Sequence, residues 1–171
     1  MAVGATEGRP WLEEFPVTWR RVVTDPQGFF AEMPETGGLG PPTTFLAICA
    51  GANAVGHLLV GWGVRGMIAV FAWQIAGSAL LAALLVLVAQ HLFHGRAGFE
   101  PTFRVVCYAA APGVFAWLPG IGIIARLYGA YLVLRGIERV QGFDVTHAVL
   151  TLLIAIGVVW LLFAASGPIW V

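Results

Sequence analysis

Five apolar runs, at residues 43–62, 67–93, 102–118, 121–137 and 145–165, follow a polar, proline-broken stretch at residues 1–42. A helix of about 20 residues crosses about 30 Å of hydrocarbon. Runs one, two and five meet that length. Runs three and four hold about 17 residues each, at the short end of the spanning range, and fold back on each other at Pro119-Gly120. They could cross as thin or tilted spans or form a re-entrant hairpin. Two spans are expected, because that arrangement distributes the flanking charges better. The pattern predicts an all-α fold, a polytopic bundle of five transmembrane helices (43–171) preceded by a cytosolic segment (1–42) with short interfacial helices.

Within that segment, residues 17–23 read as a helix with Trp19, Val22 and Val23 on one side and Arg20 and Arg21 beside them. Asp25 is a good N-cap, Pro26 suits a first helical position, and Pro34 stops the helix. Phe29, Phe30 and Met33 share one face, so these amphipathic pieces are expected to lie flat on the membrane surface. Residues 37–42 form a linker. Further along, Pro101 opens run three, Pro112-Gly113 should kink it, Asp144 is an N-cap for run five, and Gly167-Pro168 ends that run. Lipid supplies no hydrophobic force between helices, so small residues must let them approach. Run one offers Ala47, Ala50, Gly51 and Ala54, and run two Ala72, Ala76, Ala79 and Ala83. Run four offers Gly122, Arg126, Gly129 and Val133, a ridge that puts Arg126 on the tightly packed side.

Composition agrees with the pattern. Mean hydropathy is +0.86, 59% of residues are hydrophobic and 11% are charged, where soluble domains run at about a quarter charged. A net charge of zero argues against a nucleic-acid partner. Cys49 and Cys107 both lie inside apolar runs, so no disulfide framework is expected. The N-terminal residues lack an apolar signal-peptide core, so the first run is expected to serve as its own insertion signal. With the N-terminus cytoplasmic and the C-terminus outside, seven arginines (9, 20, 21, 96, 104, 135 and 139) and every Asp and Glu fall inside, and only Arg65 falls outside. That is the orientation the positive-inside rule favours, and it fits a cell (inner or plasma) membrane. Trp62, Trp117, Trp160 and Trp170 come near the outer ends, where interfacial aromatics belong.

Arg126 changes the picture most, as an ionisable group deep inside a run. Counted from the outer ends, Arg126 and His57 lie about 9 Å in, Gln74 about 12 Å, and Asn53 and Tyr108 about 15 Å. Four helices thus place polar groups in one band, and Asn53 and His57 share a face at i, i+4. The band is read as a structural clasp or as a cavity for an anion, a lipid headgroup or an ion. No acid lies at that depth to neutralise Arg126. A cytosolic surface for lipid or a protein partner is expected from Trp19, Arg20, Arg21, Phe29 and Phe30 together with Arg135, Glu138 and Arg139. His91 and His94 stand near the level of Asp144 and His147, but a metal site needs three or four converging ligands and none is expected. The spans contain no nucleophile elbow, Walker loop, zinc-protease motif or carboxylate pair. No catalytic residue, cofactor or enzymatic activity is expected.

Four stretches in order carry a family resemblance. They are VVTDPQGFFAEMP from Val22, YAAAP from Tyr108, LPGIG from Leu118, and LRGIERVQGFDVTHA from Leu134. With five spans and a cytosolic N-terminus, the chain resembles the Yip-domain family from about residue 17 onward. The resemblance implies a five-helix integral membrane protein. Eukaryotic members associate with Rab-type small GTPases and shape or sort transport vesicles. The family's shared motifs are helix-turn and packing positions, so no catalytic residue carries over. Two functions follow as expectations: a non-enzymatic membrane organiser or adaptor of trafficking type, and, as the alternative, a channel or transporter using the Arg126 band. The small-residue faces also lead us to expect a homo-oligomer.

Overall fold

The computed structural model describes residues 11–165. Arg9, the Gly167-Pro168 stop and Trp170 lie outside the described residues, as does the Trp160 side chain. Among the described residues the fold is all-α: Trp11–Thr24 (α1), Pro26–Glu32 (α2), Gly40–His57 (α3), Gly63–Phe93 (α4), Phe99–Ala109 (α5), Ile121–Gln141 (α6) and Val145–Ala165 (α7). Asp25 caps α2 by accepting from the Gly28 amide at 3.0 Å. Asp144 accepts from the His147 amide at 3.3 Å as α7 begins.

Helices α3 and α4 are joined by a π-helical turn, Leu58–Trp62. Gly61 (φ 93°) and Gly63 (φ 69°) reverse the chain there, in a backbone region that glycine enters without a Cβ clash. The two helices then pack along each other, and α7 packs on α4 and α6. Helix α5 is the centre: every residue of 102–107 is buried, with α3, α4, α6 and α1 around it.

Run three is not a single straight helix. Its α-helical part has 11 residues, about 16 Å. Pro112 lacks an N–H and its ring clashes with the turn before it, so the chain tightens into a 3₁₀ segment, Ala111–Phe115. The straight, 21-residue α6 runs beside this broken arm. Gly122, Gly129 and Gly136, one heptad apart, let the two approach. A Cβ on Gly122 would run into the Ala116 carbonyl oxygen, one on Gly129 would come within 3.3 Å of the Ala109 carbonyl oxygen, and one on Gly136 would collide with Val105. The expected ridge through Arg126 is corrected here. Ala125 is buried while Arg126 is exposed, because the packed face of α6 follows Gly122, Ala125 and Gly129.

The N-terminal helices pack against the bundle. They dock onto α5, α6 and the 3₁₀ segment, and Phe30 is only 1% exposed. We call the end bearing α2 and the turns at 94–98 and 142–144 the base. The end bearing the turns at 61–63 and 119–120 is the tip.

Candidate functional site

At the base, polar side chains close the fold. Arg104, 3% exposed, donates from Nη2 to the Gly38 carbonyl at 2.6 Å and pairs with Glu100 at 3.3 Å. The Gly38 amide donates back to Glu100 Oε1 at 2.8 Å. The linker to α3 is thereby pinned to the central helix. Gln141, equally buried, accepts from the Ala97 amide at 2.9 Å and donates to Thr102 Oγ1 at 3.2 Å. Arg96 donates to the Val140 and Arg139 carbonyls at 3.1 and 3.2 Å. Those carbonyls are unpaired acceptors at the negative end of the α6 dipole, which an arginine suits.

Above them, the Trp19 indole N–H donates to the Ala111 carbonyl at 2.8 Å, just where the helix breaks before Pro112. The Tyr128 hydroxyl donates to the Val23 carbonyl at 2.7 Å. Trp19, Phe29 and Phe30, expected as a lipid or partner surface, are therefore packing residues: Phe29 meets Tyr108 edge-on at 5.0 Å, and Trp19 meets Phe115. What stays accessible is charged. Arg20 is exposed, Arg21 pairs with Glu32 at 2.7 Å, Arg139 lies 3.8 Å from Glu35, and Arg135 pairs with Glu138 at 2.8 Å. Between α2 and α6 these frame an open groove of about 390 Å³ lined by Gln27, Phe30, Ala31, Arg135, Glu138 and Arg139.

The tip band is only partly assembled. Asn53 Nδ2 donates to Gln74 Oε1 at 3.0 Å, joining α3 to α4. One turn on, His57 packs against Trp62 with ring centroids 4.5 Å apart. The Oδ1 of Asn53 and Nδ1 of His57 are buried without a hydrogen-bond partner. Arg126 is exposed and has no bonded partner among the described residues. Tyr108 belongs elsewhere, against Phe29 and Phe45.

The Yip1 domain family model matches residues 20–166. The chain belongs to the Yip1 domain family. Comparisons with curated proteins and with solved structures found no match. Membership supports a membrane-associated protein of trafficking type. The matched Yip1 domain takes in both the base and the tip.

Among the described residues of this Yip1 domain, no group of three or more His, Cys, Asp or Glu side chains converges. His91 Nδ1 lies 3.0 Å from the Leu87 carbonyl. Asp144 and His147 bond each other, and that bond holds the Asp144 carboxyl below its usual range. The sequence reading missed the buried roles of Arg104 and Gln141, which as charged or polar residues near the expected cytosolic ends of their runs look like solvated flanks. The available signal was the heptad spacing of Gly122, Gly129 and Gly136, which marks the face against which α5 must lie.

Proposed function

We propose that this chain crosses a cell membrane with its five apolar runs, N-terminus in the cytosol, and acts without catalysis as an organiser or adaptor through its base. One observation carries the membrane reading. The Gly40–Phe93 stretch has an 18-residue window of mean hydropathy 2.1, of which 11% is buried. The core helix of a water-soluble protein hides such a surface. Here Leu59, Ile68, Trp73 and Leu87 of the stretch point outward, and only lipid or another apolar partner can cover them. A homo-oligomer through this belt belongs to the same reading.

The adaptor role is supported by the charged, open groove between α2 and α6, where a cytosolic segment could meet Gln27, Ala31 and Arg139. The test keeps the buried aromatics and reverses the exposed charges. Arg20→Glu with Arg139→Glu should reduce partner recovery or vesicle remodelling several-fold while the detergent-solubilised protein stays monodisperse. Unchanged recovery and unchanged vesicle morphology would count against the adaptor role. A tag on the first residues, found accessible only from the non-cytosolic side, would reverse the topology. The transport alternative is favoured by the unpartnered atoms of Asn53 and His57. It ends if liposomes holding the protein pass no more ions or lipid than empty ones.

A further inference from the structure

The charges of the chain are unevenly shared between its two ends. No Asp or Glu occurs between Glu35 and Glu100 or between Glu100 and Glu138, so Arg65 and Arg126 at the tip have no acid near them in the chain. Two long helices, α4 and α6, also begin there, and their first turns present positive dipole ends. Arg126 stands in the second turn of α6, where a cation opposes the dipole. An anion from outside the chain is the missing counter-charge.

The surroundings of Arg126 say where that anion comes from. Ile123, Ile124 and Leu127 on the same helix are each about two-thirds exposed, so the guanidinium emerges from an apolar wall, not from a water-facing cleft. His57, 8% exposed, is held against Trp62. Its Nδ1 is enclosed and unpartnered, and the ring is not part of the contact. Asn53 Oδ1 is an acceptor and has the wrong chemistry for an anion, so it is not part of the contact.

We propose that the tip binds the phosphodiester of a membrane phospholipid, with the Arg126 guanidinium as donor and the acyl chains lying along Ile123, Ile124 and Leu127. The planar fork of arginine donates two parallel N–H bonds to phosphate oxygens, which a lysine cannot do. The inference rests on the membrane reading above.

The test uses the full chain purified in a non-ionic detergent and titrated with phosphatidylglycerol, with bound lipid counted by native mass spectrometry. The wild type should retain the lipid. Arg126→Gln should weaken retention about tenfold or more, Arg126→Lys should fall between the two, and His57→Ala should stay within about twofold of wild type. Arg126 is exposed, so its replacement leaves the packing intact. Arg65→Gln, in the first turn of α4, should stay within about twofold of wild type, because a distant exposed charge is largely screened. Equal losses for Arg65→Gln and Arg126→Gln would overturn the assigned site in favour of a diffuse field. Displacement of the lipid by equimolar inorganic phosphate would overturn the lipid as ligand. Wild type that leaves membranes without detergent would fail the membrane reading itself. Wild type that stays in membranes but holds lipid independently of residue 126 would fail this inference alone.

Discussion

Base and tip are built from the same helices but closed in different ways. At the base, Arg104, Gln141, Arg96 and Glu100 each bond a backbone group of another element, although Arg104 Nε is buried without a partner. At the tip, Asn53 bonds Gln74 across two helices, and Arg126 has no bonded partner among the described residues. Buried polar groups are costly unless satisfied. Among the described residues the base is the more heavily cross-bonded end, though neither end is fully satisfied: Arg104 Nε at the base, and Asn53 Oδ1 and His57 Nδ1 at the tip, are buried without a partner.

The contrast is most easily broken at Arg104. Arg104→Ala removes a buried cation and strands both Glu100 and the Gly38 carbonyl, so thermal unfolding in detergent should show a loss of about 3 kcal/mol. A loss below about 1 kcal/mol would mean the linker is not held by this contact. Next comes the glycine contact. Gly136→Ala should cost about 1–3 kcal/mol by overpacking against Val105. Gly51→Ala in α3, with nothing near its Cβ position, should be neutral or up to about 1 kcal/mol stabilising. Equal effects would remove the argument that α6 leans on α5 through its glycines.

Smaller changes sharpen the other side of the comparison. Replacing Asn53 and Gln74 together by leucine should shift stability by no more than about 0.6 kcal/mol, the usual worth of a side-chain bond between membrane helices. A loss several times larger would make the tip as structural as the base. The smallest effect is at Asp144. Its carboxyl is held low by the bond from His147, so its contribution to stability is present above the ordinary value of 3.8 and fades as pH falls below it. The stability difference between wild type and Asp144→Asn should therefore shrink towards zero in acid. A difference that stays constant across that range would mean the capping bond does not form.

Much of the architecture was legible from hydropathy and caps. Run five coincides with Val145–Ala165, and run four begins with Ile121. Asp25 and Asp144 mark true helix starts, because a short side-chain acceptor beside unpaired amides has few other roles. Facing was not legible. The first half of α6 is apolar nearly all round, so periodicity could not tell whether Arg126 or Ala125 looked inward. The fate of Arg104 depended on a linker glycine 66 positions away, which no local pattern contains. The N-terminal helices were read as surface pieces because their charged side was visible in the sequence, while the carbonyl that Trp19 meets exists only once α5 has broken.

That last contact has a consequence for biosynthesis. Trp19 waits for a carbonyl 92 residues downstream, and Val23 for a hydroxyl 105 residues downstream. At ordinary ribosome speed this is roughly 5–20 s during which α1 lacks these two contacts. Helices α1 and α2 thus gain these two contacts only after α5 and the start of α6 have been made, and a nascent chain arrested before Tyr128 would lack the hydroxyl that holds Val23.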